Sequence, residues 1–521
     1  MYPCRMPDPS ADRSRSLPAA WPAACWLLPF VTLALQLATY RGYGYFRDEL
    51  YYLASAEHLG FGYVDHPPMI GLMAWLVRST LGDSLFAVRL LPAVAHAAAV
   101  ALAALLAREM GGGRHAQFGA ALATALAPAY IGICGVFSMN AFDILFWAAL
   151  WLISARALRT GNTRLWLSFG LVAGAGLQNK ISVLFLAFGV VAGLLVSRRW
   201  RVFRSWHLWA GGAVAGLIFL PHIIWQWHYG WPTLEFMANA TRGKNVSLPP
   251  AEFLAQQVIY MNALAAPLWI LGLAGLLAFR RLRVLQPIGW AYLAVLGVML
   301  LTSAKPYYLA PAYTALFAAG AVALEAIPWT TPGIFARAAM LILVVAGGAL
   351  SLPLVKPVLS TDAFLRYSAA LGVAPEIGER HEMGRLPQHF ADMLGWPDLA
   401  ANVARVYDAL PAADRERACV FAQNYGEAGA VDVLGAPLGL PRAISGHNSY
   451  FLWGPRGCTG DVVIAIGGER KDYEEAFASV EQAAVHTCVD CMPYENNLPI
   501  WVARGTRLPL AALWPRVKHF G

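Results

Sequence analysis

The chain has 521 residues, of which 58% are hydrophobic and 13% are charged, and its formal net charge is +8. Together with a mean hydropathy of +0.50, this composition excludes an ordinary soluble globular protein and favours a polytopic α-helical membrane protein. The positive charge does not require a nucleic-acid partner, because much of it is arginine beside apolar segments, where it sets membrane orientation.

Hydropathy divides the chain into a membrane part and a more polar C-terminal part. A helix needs roughly 20 apolar residues to cross a hydrocarbon core of about 30 Å. The predicted spans, about eleven, are 21–40, 86–107, 116–134, 138–157, 166–179, 181–197, 208–226, 254–279, 286–303, 309–327 and 337–355. We predict an N-terminal tail over 1–20, a membrane module over 21–355, and a tight helical hairpin for 166–179 and 181–197.

Clusters of arginine lie at one end of these spans. They are Arg5, Arg13, Arg15, Arg108, Arg114, Arg156, Arg159, Arg164, Arg198, Arg199, Arg201, Arg204, Arg280, Arg281 and Arg283. With a cytoplasmic N-terminus, every one of them falls on the cytoplasmic side, as the positive-inside rule requires. The connections 41–85 and 227–253, the turns at Lys180 and Lys305, and everything after residue 356 then face outward.

The first outer connection, 41–85, carries two acidic groups, Asp48-Glu49 and Asp65-His66, among several tyrosines that include Tyr52. Acidic clusters held against a bilayer are typical of proton transfer or of metal binding. The alternative is that Asp48 simply caps a helix. We expect the residues from 47 to 54 to form an amphipathic helix that lies on the outer leaflet.

Other polar residues recur at the outer ends of the spans. Asn140 and Asp143 lie one helical turn apart, and Asp143 must face the protein interior, because a carboxylate facing lipid is costly. Lys180 and Lys305 stand on the outer side against the positive-inside bias, so they either anchor the helices by snorkelling or bind an anion. The aromatic loop 225–245 adds Arg242, which suits a lipid phosphate or a sugar.

The C-terminal part, 356–521, is predicted to be a soluble α/β domain, which is long enough for a core of its own. The runs 418–422 and 461–466 favour strands, and the patterns at 390–394 and 473–482 favour helices. Cysteines at 419, 458, 488 and 491 can form one or two disulfides in an oxidising exterior. The spacing of Cys488 and Cys491 is also that of a redox or metal motif, although no second pair of ligands accompanies it.

No nucleotide-binding motif appears in the sequence. A general base, cations and aromatic side chains on one outer surface are the groups that transfer of a sugar from a lipid phosphate requires.

Several motifs make the chain resemble the GT-C glycosyltransferases, in the bacterial branch related to protein O-mannosyltransferases and to the lipid A aminoarabinose transferase. In the membrane part they are Arg47-Asp48-Glu49, Tyr63-Val-Asp-His-Pro-Pro68, Met139-Asn-Ala-Phe-Asp143, Asn179-Lys180 and Lys305-Pro-Tyr-Tyr-Leu-Ala-Pro-Ala-Tyr313. In the C-terminal part, 423–428, 445–454 and 493–499 resemble a subgroup of uncharacterised members.

The resemblance implies a polyprenyl-phosphate-linked sugar donor, inversion at the anomeric carbon, and a first-loop acid as base. The base role falls on Asp48, with Glu49 beside it. The groups expected to bind the donor phosphate are His66, Lys180, Lys305, Tyr308 and Arg242. The groups expected to support the sugar or the acceptor are Tyr52, Asp65, Asn140 and Asp143. The sequence departs from the lipid A branch at His66, where that branch has a lysine, and at Asn140, where it has an acid.

No cofactor is required by this chemistry. The alternative is a divalent metal held by Asp48, Glu49 and Asp65, because hard cations prefer carboxylate oxygens. The expected location is the bacterial inner membrane with a periplasmic C-terminal domain, and the expected partners are the donor lipid and a glycan, lipid or protein acceptor. Two other functions fit the same residues: a flippase for a lipid-linked or anionic substrate, or a non-catalytic glycan-binding membrane subunit.

Overall fold

The computed structural model describes residues 17–244, 246, 248–373 and 380–521. Arg5, Arg13 and Arg15 lie outside the described residues. The helices up to residue 355 are α1 (Leu28–Ala38), α2 (Arg47–Ser55), α3 (Met69–Thr80), α4 (Leu85–Glu109), α5 (Arg114–Ala125), α6 (Pro128–Ile133), α7 (Met139–Thr160), α8 (Leu165–Asn179), α9 (Val183–Val196), α10 (Trp200–Phe203), α11 (Trp206–His228), α12 (Pro232–Asn239), α13 (Pro250–Tyr260), α14 (Ala266–Ala278), α15 (Gln286–Leu301), α16 (Tyr313–Glu325) and α17 (Thr331–Val355).

Shorter helical turns extend several of these helices. Ala23–Leu27 precedes α1, Ala240–Lys244 follows α12, and Ala263–Ala265, Arg280–Leu285 and Pro306–Ala312 precede α14, α15 and α16.

Six helical stretches in the described part of the chain are long and apolar enough to cross a membrane. They are Leu85–Glu109, Met139–Thr160, Trp206–His228, Arg280–Leu301, Pro306–Glu325 and Thr331–Val355. The bent pair Pro250–Tyr260 and Ala263–Ala278 makes a seventh if it is one span, and Ala23–Ala38, Met69–Thr80 and Val183–Val196 are shorter apolar helices. Helices occupy every segment that hydropathy predicted, and the chain is a multi-pass helical membrane protein.

The predicted span 254–279 is not one straight helix. Its two halves meet at an angle of 95°, and the break falls at Asn262, whose φ of 70° is incompatible with a continuing right-handed helix. The Asn262 side chain donates a hydrogen bond to the carbonyl of Val344 in α17 (2.9 Å), which stabilises the bend.

The expected tight hairpin of 166–179 and 181–197 is wrong. Helix α8 packs along α11, whereas α9 packs along α15. Small residues make both contacts close: a Cβ at Gly170 would lie 2.0 Å from the carbonyl oxygen of Gly211, and one at Gly193 would lie 2.0 Å from that of Pro287. Close backbone approach at glycines is a common basis of helix association in membranes, so each helix of the pair has a different partner.

The expectation that residues 47–54 lie on the outer leaflet is also wrong. Every residue of α2 from Glu49 to Ser55 is buried, because the helix is enclosed between the membrane helices and the C-terminal part of the chain. The helix with a free apolar face is instead α3, where Leu72, Trp75 and Leu76 are about half exposed on one side.

The C-terminal part contains a five-stranded sheet and short helices. The strands are β1 (Ala418–Ala422), β2 (Ala443–Ser445), β3 (Val462–Ile466), β4 (Phe477–His486) and β5 (Leu498–Thr506). The helices are α18 (Thr361–Ala370), α19 (Gln388–Ala391), α20 (Trp396–Ala409), α21 (Ala412–Arg415), α22 (Tyr425–Ala430), α23 (Ser449–Trp453), α24 (Arg470–Ala476) and α25 (Leu510–Leu513). The strand order is β2-β1-β3-β5-β4.

The register of the sheet sets which residues face α2. Strand β1 runs parallel to β2 and β3, with Val420 opposite Ala443 and Ile464, and β5 runs antiparallel to β3 and β4. Val420 and Ile464 face the same hydrophobic core as Leu50 of α2. The sheet therefore packs against the first outer connection rather than standing apart from it.

The strands predicted at 418–422 and 461–466 are confirmed, but the helix predicted over 473–482 is wrong beyond Ala476. From Phe477 onward the chain is β4, which pairs with β5 in antiparallel register. The exposed polar residues of this segment resemble the pattern of a helix, but pairing with β5 makes the segment a strand.

The four cysteines of the C-terminal part form two disulfides, Cys419–Cys458 and Cys488–Cys491. These bonds link β1 to the loop before β3 and close the turn that follows β4.

Candidate active site

The helix α2 begins at the end of the membrane bundle that faces the C-terminal part, and it carries both acids of the first group. Its N-cap residue is Phe46, whose backbone N–H donates to Glu49 Oε2 (2.8 Å). Glu49, not Asp48, therefore provides the capping interaction that the sequence left open for Asp48.

Glu49 is fully buried and is held by donors on both oxygens. Arg89 of α4 donates from Nε to Oε1 (2.9 Å) and from Nη2 to Oε2 (2.7 Å), and the backbone N–H of Phe137 donates to Oε1 (2.8 Å). A bidentate pair of this kind joins α2 to the membrane helices. It gives Glu49 a structural position rather than one from which it could exchange a proton with a substrate.

Asp48, the neighbouring acid, faces the other way. Its side chain is 29% exposed and lies 3.9 Å from Arg47 Nε. The hydroxyl of Tyr425, at the start of α22, donates to its Oδ1 (2.9 Å). Of the two acids, Asp48 is the one that remains accessible to solvent.

Asp65 lies close to Asp48. The hydroxyl of Tyr51 donates to Asp65 Oδ1 (2.8 Å). Burial raises the pKa of Asp65, and the negative charge of Asp48 raises it further, whereas His66 and the bond from Tyr51 oppose the shift. The Asp65 side chain therefore ionises less readily than an ordinary aspartate.

His66 is buried beside Tyr52 and Tyr63, with ring centroids 5.2 Å and 4.5 Å away. Its Nδ1 lies 2.9 Å from the carbonyl oxygen of Pro67, which can only accept, so Nδ1 carries the proton. Burial lowers the pKa of His66, and the neutral ring then has a lone pair on Nε2. A neutral imidazole with that tautomer provides no positive charge for the phosphate that the sequence assigned to it.

Lys180 lies in the short turn between α8 and α9, at the same end of the bundle. Its Nζ donates to Asn140 Oδ1 (2.6 Å), lies 3.8 Å from Asp143 Oδ2, and stands 4.5 Å from the ring centroid of Tyr308. Ser182 donates to the other oxygen of Asp143 (2.6 Å). Residues from three separate segments, 140–143, 180–182 and 308, therefore lie around one cationic group, the ammonium of Lys180.

Tyr52 lies between the acids and this cationic group. Burial raises its pKa well above the ordinary value, and the nearby Asp48, Asp65 and Tyr308 raise it further. Asp48, Asp65, His66 and Tyr308 are neighbours of Tyr52, and Lys180, Asn140 and Asp143 join them through the contact between Lys180 and the Tyr308 ring. Together these residues form the cluster around Tyr52.

The remaining two predicted residues occupy different positions. Lys305 precedes the turn Pro306–Ala312, three residues before Tyr308, and is partly exposed. Arg242 is exposed in the turn Ala240–Lys244, where its backbone carbonyl accepts a hydrogen bond from Arg380 (2.9 Å). Within the described residues, Arg242 makes no contact with the cluster around Tyr52.

Asp48, Glu49 and Asp65 do not form the metal site that the sequence offered as an alternative. Both oxygens of Glu49 are occupied by Arg89 and backbone N–H groups. No group of three or more His, Cys, Asp or Glu side chains suited to a metal ion occurs in the part of the chain that the structure describes.

Sequence reasoning missed the residues that hold these acids. Arg89 lies 40 positions from Glu49 in a long apolar helix, where it resembles any other buried charge. Tyr425 and Ser449 come from the C-terminal part, and the only indication of them was that both lie in motifs shared with a family subgroup. Ser449 Oγ lies 2.7 Å from the Tyr51 hydroxyl.

The fold and the cluster define a multi-pass membrane protein whose polar site lies at one end of a helical bundle, under a small α/β sheet. Residues 65–225 match the family described as dolichyl-phosphate-mannose-protein mannosyltransferase. This segment contains Asp65, His66, Asn140 and Lys180 and begins after Asp48. A search of curated proteins found no match.

Two solved structures share the fold over most of their length. ArnT from Cupriavidus metallidurans bound to undecaprenyl phosphate matches with a TM-score of 0.59 and 15% identity, covering 91% of this chain and 97% of that chain. The apo state of the same protein matches with a TM-score of 0.59 and 16% identity, with the same coverage. The fold expected from the resemblance is thereby confirmed, and the family match covers residues 65–225.

Proposed function

We propose that the protein transfers a sugar from a polyprenyl-phosphate-linked donor to the hydroxyl of an acceptor at the outer face of the membrane, with inversion. The observation that carries the proposal is the cluster around Tyr52, in which Tyr52 and Tyr308 link a partly exposed acid, Asp48, to Lys180 at one end of the bundle. A protein of the same fold, ArnT, has been crystallised with undecaprenyl phosphate, which supports a lipid phosphate as part of the substrate.

In the proposed reaction, Asp48 accepts the proton of the acceptor hydroxyl while that oxygen attacks the anomeric carbon from the face opposite the phosphate. The bond between the anomeric carbon and the phosphate oxygen breaks, and its electron pair leaves with the polyprenyl phosphate. Asp48 suits this role because it is ionisable, 29% exposed and held from one side only.

Negative charge grows on the leaving phosphate, and a nearby cation stabilises it. Lys180 has this role in the proposal, with Lys305 as a second cation from the turn beside Tyr308. Asn140 and Asp143 hold the ammonium of Lys180 before the donor arrives, so its position is set in advance. We assign neither His66 nor Arg242 to the phosphate, since the first is neutral and the second lies outside the cluster.

We place the protein in a bacterial inner membrane, with the N-terminus cytoplasmic and the region 356–521 as a periplasmic domain. The arginines at 198–204 and 280–283 support this orientation. Reporter fusions after Arg201 and Arg283 should report the cytoplasm, and fusions after Asp65 and Trp453 should report the periplasm. A cytoplasmic signal after Trp453 would contradict the orientation.

The function is tested with purified protein in liposomes, a polyprenyl-phosphate sugar and an acceptor extract, following release of free polyprenyl phosphate. We expect release that depends on the acceptor. If the donor crosses the bilayer intact and is never cleaved, the protein is a flippase. If neither cleavage nor movement occurs while glycan still binds, it is a non-catalytic subunit.

A further inference from the structure

The C-terminal domain reaches both acids of the first outer connection. Tyr425 donates directly to Asp48 Oδ1 (2.9 Å). Ser449 contacts Asp65 through Tyr51, whose hydroxyl lies 2.7 Å from Ser449 Oγ and 2.8 Å from Asp65 Oδ1. Since the single proton of Tyr51 goes to the carboxylate, the Ser449 hydroxyl donates to Tyr51. Each acid therefore has a hydrogen-bond donor that the C-terminal domain provides or supports.

Tyr425 is held firmly enough to orient its partner. It is 6% exposed, its ring centroid lies 4.7 Å from that of Tyr51, and the Arg47 guanidinium stands over its ring at 5.3 Å. Behind it, α22 packs against α2 so closely that a Cβ at Gly429 would lie 2.9 Å from the backbone of Leu50. The position of the hydroxyl therefore follows from packing between two elements and not from a flexible loop.

The contacts of Asp48 are one-sided. Both the Tyr425 hydroxyl and Arg47 Nε (3.9 Å) approach Oδ1. A carboxylate that is bonded through one oxygen cannot rotate freely, so its other oxygen, Oδ2, keeps a constant direction. A general base needs such a constant direction, because proton transfer requires hydrogen-bond geometry in the reacting complex.

We propose that Tyr425 is a positioning residue for sugar transfer, which the C-terminal domain supplies to a site otherwise built by the membrane module. Its hydroxyl holds Asp48 Oδ1 so that Oδ2 faces the acceptor hydroxyl. This inference rests on the proposed function, since it takes Asp48 as the base. The charged and titratable groups that face Asp48 besides Tyr425 are Arg47, Tyr52, Asp65 and His66.

The test compares Tyr425→Phe with Tyr450→Phe. Tyr450 is a matched control because its hydroxyl also donates to an aspartate at 2.9 Å, but that aspartate, Asp432, is buried within the C-terminal domain itself. We expect Tyr425→Phe to lower kcat about tenfold, the usual size for a hydrogen bond to a charged group, with the donor KM unchanged. Tyr450→Phe should leave both constants unchanged.

The pH profile separates a positioning role from a merely structural one. Loss of a donor to a carboxylate disfavours its ionised form, so the acidic limb of kcat should move to higher pH in Tyr425→Phe and not in Tyr450→Phe. Tyr425→His keeps a ring N–H donor, and its kcat should lie between those of the wild type and Tyr425→Phe.

Asp48→Asn in the same series distinguishes the two proposals. If Asp48→Asn keeps activity, Asp48 is not the base, and the positioning role proposed for Tyr425 is wrong as well. If Asp48→Asn is inactive while Tyr425→Phe matches Tyr450→Phe in kcat and in pH profile, only the positioning role is overturned. If Tyr425→Phe does not fold, Tyr425→His takes its place: a lowered kcat with the acidic limb moved to higher pH supports the role, and a kcat and an acidic limb equal to those of the wild type overturn it.

Discussion

The two sides of helix α2 differ although they begin with neighbouring acids. On the side that faces the membrane helices, Glu49 is fully buried and paired with Arg89. On the side that faces the C-terminal domain, Asp48 is 29% exposed and accepts one hydrogen bond from Tyr425. Two carboxylates on adjacent residues therefore have different surroundings, because their partners come from different parts of the chain.

Under the proposed function, Glu49 stabilises the fold and Asp48 takes part in the reaction. An ion pair with donors on both oxygens is costly to break, since removing one partner leaves a buried charge. A carboxylate with one donor and some water can exchange its proton. The predictions below test this division, beginning with the largest effect.

Replacing Asp48 by Asn should abolish sugar transfer while leaving insertion and thermal stability intact. The amide keeps the shape of the side chain but cannot accept the acceptor proton, and loss of a general base costs about 10²–10⁴-fold. The measurement is release of polyprenyl phosphate by purified protein. Near-normal activity would show that Asp48 is not the general base.

Replacing Glu49 by Gln should instead lower stability by about 3–5 kcal/mol, because Arg89 would remain buried without its counter-charge. Thermal unfolding in detergent measures the change. Glu474→Gln is the control, since its pair with Arg470 is exposed on both sides and should contribute less than about 1 kcal/mol. Equal stability of the two variants would mean that the pair between Glu49 and Arg89 is not structural.

A third acid beside α2 makes stability depend on pH. Glu495 shares the Asn424 amide with Glu427 (2.9 Å to each), and burial raises the pKa of Glu495 from its ordinary 4.5 to about 7. The folded state thus holds this proton more tightly than the unfolded chain. The bound proton stabilises the folded state fully below pH 4.5. This stabilisation, about 3 kcal/mol of unfolding free energy, is lost as the pH rises to about 7.

The variant Glu495→Gln should remove most of that decline in unfolding temperature between pH 4.5 and 7.5. The control is Glu481→Gln in β4, whose side chain is 72% exposed. An identical decline in Glu495→Gln and in the wild type would show that another group titrates.

Removing the cation should have the smallest effect. Lys180→Ala should slow transfer and weaken donor binding about tenfold, since one charge-assisted contact to the phosphate is lost. Lys180→Arg should recover part of both constants, because the charge remains while the geometry of the donors differs. Lys471→Ala, at an exposed lysine of the C-terminal domain, is the control. Unchanged donor affinity in Lys180→Ala would remove the lysine from the site.

The sequence alone determined the class of the protein and many of its polar residues. Hydropathy located the membrane helices, because a bilayer demands length and apolar character in each span. The charge pattern and the motifs predicted that Asp48, Asp65, Asn140, Asp143 and Lys180 lie at one surface. In the structure these five residues are linked through Tyr52 and Tyr308. Such features are local, or follow from the membrane as a solvent, so they can be read without knowing which helices touch.

Tertiary structure decided which acid is free and which is bound. Arg89 lies 40 residues from Glu49, and Tyr425 lies 377 residues from Asp48, so no local pattern could assign these partners. The same holds for the burial of α2, the separate partners of α8 and α9, and the conversion of 477–482 into a strand. Each depends on a contact with a distant segment, and such contacts exist only once the chain has folded.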